Sequence, residues 1–341
     1  VSWETNTTLN EITERLRNAG RVLVLTHQKP DGDAAGAALA VCRALETIDE
    51  APGRAATPWF AGPIPDWLKQ IAGATRWRSV ERDGLPDAAS FGAVLVVDTG
   101  SWNQLEHFEA LLRPLAEHTI VVDHHRNGNA EIAGARYIDT AAAAVCEPVA
   151  ELCGLLLGVG PAELPREIAE PLYLGIATDT GWFKHSNVTP RGLHLAADLI
   201  EGGVRHAMLY ELTEQQDRAS RFRVMARAFA SLEVEADGRV AFMTITRADV
   251  AEAHAGPGET GGIADQALGI KGVLVSALMS ETDDGRVKVS LRSKEDERAV
   301  DVNEVAQLLG GGGHARAAGA RITGSVAEAK ARILDAIAAQ L

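Results

Sequence analysis

Apolar residues in the first half of the chain fall into short runs separated by stretches of helical spacing. "RVLVLTH" (21–27), "GAVLVVDTG" (92–100) and "TIVVDHH" (119–125) are rich in Val and Leu, and each gives way to polar or turn residues. Continuous apolar runs of this length suit strands buried on both faces of a parallel sheet. Between them, "DAAGAALAVCRALETI" (33–48) and "NQLEHFEALLRPLAEH" (103–118) space their apolar positions as helices do, with Pro114 breaking the second. "AAAAVCEPVAELCGLLLG" and "LPREIAEPLYLGIATDTG" read as two further helices. Such alternation predicts an α/β domain over residues 1–190, built on a doubly wound, mostly parallel sheet.

The pattern then changes. Residues 191–230, including "RGLHLAADLIEGG" and "LTEQQDRASRFRVMARAFASL", are helical and rich in charge, and read as a linker. From 231 to 341 alternating segments return in "RVAFMTITRADV" (239–250), "GVLVSALMSE" (272–281) and "GRVKVSLRSK" (285–294), as strands of a second, smaller α/β domain. "GGGGHARAAGARI" (310–322) and a closing helix, "SVAEAKARILDAIAAQL", complete it.

Composition narrows what such a protein does. A chain of 341 residues suits two domains better than one core. Lys plus Arg number 33 against 47 Asp plus Glu, a net charge of −14, which argues against coating long nucleic acid. No run approaches the roughly 20 apolar residues that span a bilayer, and the N-terminal stretch lacks the layout of a signal peptide. Cys42, Cys146 and Cys153 match no zinc spacing and read as buried thiols, so a cytoplasmic protein is expected. Aromatic residues make up 5% of the chain, too few for a stacking groove along single strands. Trp182 and Phe183 read as core packing.

The candidate chemistry sits where the apolar runs end. "VLVLTHQKPDGD" supplies His27, Asp31 and Asp33; "VLVVDTG" supplies Asp98; "TIVVDHH" supplies Asp123, His124 and His125; "GIATDTGWF" supplies Asp179. Each alone has a plain structural reading. Asp98 suits a turn, and "HQKPDGD" suits a polar loop into a helix capped by Asp33. Together they converge, because in open α/β sheets the ligand site lies beyond the carboxyl ends of the strands. So many carboxylates repel one another unless cations balance them. Mixed histidine and carboxylate donors suit Mn²⁺, and two such ions can share a carboxylate. Two cations about 3.5–4 Å apart clamp the attacking and leaving oxygens of a phosphoryl displacement.

The ordered set "HQKPDGDAAG", "VVDTG", "VVDHH" and "GIATDTGWF" resembles the four motifs of the DHH phosphoesterase superfamily, and "GGGGHARAAG" resembles the glycine-rich signature of its associated substrate-binding domain. Ala37 departs from the first motif, which often has serine there. Size and layout are similar to the group of oligoribonucleases (nanoRNases) and 3′-phosphoadenosine 5′-phosphate (pAp) phosphatases. The resemblance implies that His27, Asp31 and Asp98 hold one Mn²⁺, and that Asp33, Asp98, His124 and Asp179 hold a second, Asp98 bridging. It further implies that His125 faces the substrate, binding the scissile phosphate or helping the leaving oxygen depart, while Asp123 orients an imidazole.

The glycine run itself reads either as a flexible linker or as an anion-binding nest of backbone N–H groups at Gly312 and Gly313. In the second case His314 and Arg316, with Arg292 and Ser293 from "SLRSK", anchor a far phosphate or base. The implied activity is Mn²⁺-dependent hydrolysis of very short RNA, pAp and linear or cyclic dinucleotides, with no long nucleic acid or membrane as partner and a homodimer left open. Two alternatives compete. A family II inorganic pyrophosphatase has similar metal motifs but a different second domain. A nucleotide-binding sensor without turnover fits poorly with retention of every ligand.

Overall fold

Three wholly buried strands form the centre of the first sheet: β1 (Val22–Leu25), β4 (Ala93–Val97) and β5 (Thr119–Asp123). They are the three Val- and Leu-rich runs. The computed structural model describes residues 2–48, 56–295, 300–338 and 340. Flanking strands β2 (Ala56–Phe60), β3 (Arg78–Ser79) and β6 (Ala135–Ile138) complete a six-stranded sheet in the order β3-β2-β1-β4-β5-β6, with every pairing parallel. No apolar run announces these three. β2 contains Pro58 and alternates in burial, and β6 carries the buried Arg136.

This strand order reverses direction between β1 and β4, the switch point at which open α/β sheets hold their ligands. His27 follows β1 and Asp98 follows β4, so the topology brings the first two motifs together. The helix Gly32–Thr47 leaves β1 almost wholly buried, and Asp31 caps its start: Oδ1 accepts from the N–H of Asp33 (3.1 Å) and of Ala34 (3.0 Å). The cap is therefore Asp31 and not Asp33, because the chain is still extended at Asp31 (φ −91°, ψ −165°). Asp33 lies inside the first turn with its carboxylate free for other partners.

That helix lies unusually close to the helix Arg166–Asp179. A Cβ on Gly36 would fall 2.2 Å from the Pro171 carbonyl oxygen, and one on Gly32 would fall 2.2 Å from Thr178 Oγ1. Only glycine permits this approach, which carries Asp179 toward Asp33. Residues 103–118 break into short turns, Glu106–Phe108, Glu109–Leu112 and Arg113–His118, with Pro114 at the start of the last.

The chain divides into two compact units at Gln215 and Gln216. Helices Pro190–Glu201 and His206–Glu214 bury Leu199, Leu209 and Leu212 in the core of the first unit, whereas Ala219–Ala230 buries Val224 and Ala228 in the second.

The second unit holds a mixed sheet of β7 (Glu233–Glu235), β8 (Val240–Ile245), β9 (Val275–Glu281), β10 (Arg286–Ser293), β11 (Gly312–His314) and β12 (Ala317–Thr323). Their order is β11-β12-β10-β9-β8-β7, with β8 and β9 parallel and the other pairs antiparallel. The segment 239–250 is not one strand. Thr246 and Asp249 form a capping box that starts the helix Arg247–Ala253. The glycine run is a hairpin arm, not a linker, since β11 pairs with β12. The closing helix is Val326–Ala338; residues 339 and 341 of the expected helix lie outside the described residues. Among the described residues no helix is long and apolar enough to cross a membrane.

Candidate active site

The ends of β1, β4 and β5 and the last turn of Arg166–Asp179 place their side chains in one cluster centred on Asp98. His27 uses Nδ1 on the Gln28 carbonyl (2.9 Å), which turns Nε2 toward Asp98 Oδ2 (3.3 Å) and Asp31 Oδ1 (3.7 Å). Asp98 adopts a left-handed backbone (φ +63°), a conformation that Asp tolerates better than most residues. His124 is held by the Ala142 carbonyl through Nδ1 (3.3 Å). Its Nε2 stands 3.4 Å from Asp98 Oδ1, 3.6 Å from Asp179 Oδ2 and 3.9 Å from Asp33 Oδ2. Asp33 accepts the N–H groups of Val145 (2.5 Å) and Cys146 (2.9 Å) at the head of the helix Cys146–Leu157, which suits a buried carboxylate.

The ligand-type atoms fall into three overlapping groups, each within 4.8 Å: His27, Asp31 and Asp98; Asp33, His124 and Asp179; Asp98, His124 and His125. Asp98 thus stands between two sets of donors. Its Oδ1 is buried without a hydrogen bond, an expensive state for a carboxylate oxygen unless a cation meets it. The donor set fits divalent cations, because four carboxylates gather around three imidazoles.

Electrostatics point the same way. Burial, followed by the charges of Asp98 and Asp179, raises the Asp33 carboxyl well above the ordinary range. Burial and Asp98 push Asp179 up to about 6. For His27 burial opposes the charged form, but Asp31 and Asp98 outweigh it and carry the imidazole up to about 11. Burial likewise opposes charge on His124, and the surrounding carboxylates lift it to about 10. For Asp98 burial disfavours ionisation, yet the His124 and His27 imidazoles beside it hold its carboxyl below the usual value. Protons on two imidazoles act as counter-charges here, a role a metal cation can take over.

Asp123 and His125 form a separate pair beside the cluster. Asp123 Oδ1 accepts from His125 Nδ1 (2.7 Å) and from the backbone N–H of His124 (2.8 Å). The imidazole that Asp123 orients is therefore that of His125. This bond commits Nδ1 and raises the ring's pKa, with burial opposing. The His125 side chain is 46% exposed, against 13% for His124, so the adjacent histidines face different surroundings.

Part of the site has no motif. Loop 139–146 supplies the Ala142 carbonyl to His124 and the Val145 and Cys146 N–H groups to Asp33. It is braced by Glu147, whose Oε1 accepts from Ala143 N–H (2.7 Å) and whose Oε2 accepts from Arg191 Nε (2.8 Å). Arg191 also reaches Asp139 at 2.7 Å. A glutamate inside the apolar stretch "AVCEPVAELC" is the one sequence signal of this brace. Trp182 and Phe183 pack partly buried against the core of the first unit.

In the second unit the expected substrate residues do not gather at one point. Arg316 donates to Ser293 Oγ (3.3 Å) and the Val300 carbonyl (3.0 Å). Arg292, one residue before Ser293 on β10, points to the opposite face of the sheet and pairs with Asp265 (3.0 Å). The register places Arg292 opposite Ala317 and Ala317 opposite His314, one row across three strands. Gly313 N–H is already given to Asn303 Oδ1 (2.9 Å), so the hairpin offers fewer open donors than a nest would. Gly312 lies exposed on β11.

Comparison with known proteins gives concordant matches. A profile described as the DHH family, N-terminal domain, matches residues 21–176, and one described as the DHHA1 domain matches 237–341. The bifunctional oligoribonuclease and PAP phosphatase NrnA of Thermus thermophilus is 31% identical, over 99% of this chain and 95% of its own. The cyclic-di-AMP phosphodiesterase GdpP of Geobacillus thermodenitrificans is 26% identical, over 96% of this chain and 48% of its own. A crystal structure of an exopolyphosphatase-related protein from Bacteroides fragilis superposes with a TM-score of 0.85 at 22% identity, covering 97% of this chain and 95% of that one, and shares the fold.

Proposed function

Because the chain belongs to the DHH family of phosphoesterases, with a DHHA1 domain after the DHH domain, we propose that it is a Mn²⁺-dependent hydrolase of very short oligoribonucleotides and pAp that also accepts dinucleotides. The substrates follow from the activities named for the Thermus and Geobacillus relatives. The observation that carries the reading is the buried Asp98 carboxylate set between His27 and His124. On this reading His27, Asp31 and Asp98 hold one ion, and Asp33, Asp98, His124 and Asp179 hold the other. When bound, the ions supply Lewis acidity, which acidifies water and offsets charge on the phosphoryl oxygens.

The remaining steps belong to side chains. Asp123 fixes the tautomer of His125 by taking Nδ1–H, so Nε2 is the site that gives a proton to the departing ribose oxygen. The Asp123 bond raises the pKa of His125, which favours the doubly protonated ring that can give up an Nε2 proton. Arg292 and His314, which share one row of the sheet, are assigned to holding the far end of the ligand, a remote contact that orients the reacting phosphate. Three free, buried cysteines support a reducing compartment, and we place the enzyme in the cytoplasm.

The test is a product time course with Mn²⁺ on pAp, a dinucleotide, a pentanucleotide and a cyclic dinucleotide. Release of mononucleotide from the short RNAs and of AMP from pAp is expected. Hydrolysis of inorganic pyrophosphate alone would move the protein to the pyrophosphatase reading, and tight binding without any product would make it a sensor.

A further inference from the structure

One face of the second sheet is covered over β8 and β9, where Ala241, Met243 and Leu278 pack beneath the helices Ala219–Ala230, Arg247–Ala253 and Ile263–Ala267. Across β10 and β12 the same face is open. There Lys288 stands directly opposite Arg321, and Ser290 opposite Gly319. Both cations are exposed beside a trough of about 470 Å³ whose lining includes Gly310, Gly311 and Gly319.

Like charges directly opposite each other destabilise an antiparallel pair. Several other cations of this unit are balanced: Arg286 by Asp284, Arg292 by Asp265, and Lys330 by Glu233 and Glu235. Among the described residues Lys288 and Arg321 have no such partner. In a chain of net charge −14, an unbalanced and mutually repelling pair over a floor of glycines fits an anionic ligand that comes close to the backbone.

We propose that this face is a track for the phosphodiester backbone of an oligoribonucleotide longer than a dinucleotide, Lys288 and Arg321 each meeting a phosphate. The inference rests on the reading of the protein as a short-RNA hydrolase. Along β10 the row of Lys288 and Arg321 lies four residues, about 13 Å, from the row of Arg292 and His314. A dinucleotide or pAp anchored at Arg292 and His314 ends before the track, whereas a pentanucleotide runs onto it. The track thus sets the preference for length, separately from the chemistry at Asp98.

The test compares the full-length wild type with the Lys288→Ala/Arg321→Ala double variant, both loaded with Mn²⁺. We expect kcat/KM for a pentanucleotide to fall about tenfold at low salt, with pAp and dinucleotide unchanged. Binding of a labelled pentanucleotide, followed by fluorescence anisotropy, should lose about 1.4 from the slope of log K against log salt, about 0.7 for each phosphate contact. A Lys288→Glu/Arg321→Glu variant should weaken the pentanucleotide further. Equal losses on dinucleotide and pentanucleotide, or an unchanged salt slope, would overturn the track. If the wild type binds the pentanucleotide through these residues yet releases no mononucleotide, the track stands and the hydrolase reading fails.

Discussion

Replacing Glu147 by alanine removes a carboxylate that touches no candidate ligand yet holds the loop that orients two of them. Its side chain is fully enclosed, accepting from Ala143 N–H and from Arg191, which is 52% exposed. Truncation leaves the Ala143 N–H buried and unpaired, costing about 1–3 kcal/mol. Breaking a buried ion pair costs up to about 3–5 kcal/mol, but the exposure of Arg191 and its second bond to Asp139 place this pair near the lower end. A combined loss of about 3 kcal/mol corresponds to a fall in Tm of roughly 6–12 °C for a unit of this size. The loop also carries the Ala142 carbonyl and the Val145 and Cys146 N–H groups, so His124 and Asp33 lose their fixed orientation while His27 and Asp31 do not. Mn²⁺ titration by calorimetry should therefore show one binding step weakened about 10–100-fold, the magnitude expected when a ligand's outer partner is lost, and the other intact. Glu147→Gln keeps an acceptor for Ala143 and should recover most of the weakened step. If Glu147→Ala lowers Tm while both binding steps keep wild-type affinity, the brace is structural only and the positioning argument fails.

Three further outcomes follow from the cluster. Chelation should abolish turnover, with Mn²⁺ restoring it better than Mg²⁺ because the histidine donors are softer than magnesium's oxygen sites; full activity in chelator would refute the metal reading. His124→Ala should lower metal content, whereas His125→Ala should keep the metals and reduce kcat, and Asp98→Ala should lose most metal of the three; equal metal loss in the two histidine variants would show their roles to be misassigned. His27 and His124, pushed up to about 11 and about 10, are protonated in the metal-free protein at pH 7.5, so loading should release at least these two protons per chain and apparent affinity should rise with pH; calorimetry in buffers of different ionisation enthalpy reads this directly, and zero proton release would contradict it.

What was legible in the sequence, and what was not, divides by how local the cause is. β1, β4 and β5 are buried on both faces, so their apolar runs are continuous and visible. The residues at their ends are bound to them by a few peptide bonds, which is why His27, Asp98 and His124 could be named together before any fold was known. β6 is an edge strand and β2, though interior, contains Thr57 and Pro58; both mix polar with apolar positions, so periodicity passes over them. The ring of partners around the cluster is invisible for another reason: Ala142, Val145 and Cys146 act through backbone atoms, which any residue type would present. Arg292 and Ser293 show the same limit on a strand, where neighbours in sequence point to opposite faces and only the register decides which shares a row with His314 and which bonds Arg316. Donor identity belongs to the motif, but donor orientation belongs to the loops and helices packed behind it. Substitutions at Glu147, which touches no ligand, or at Gly36, where a Cβ would meet the Pro171 carbonyl and Cys146 Sγ, should therefore disturb metal binding as surely as changes in the motifs themselves.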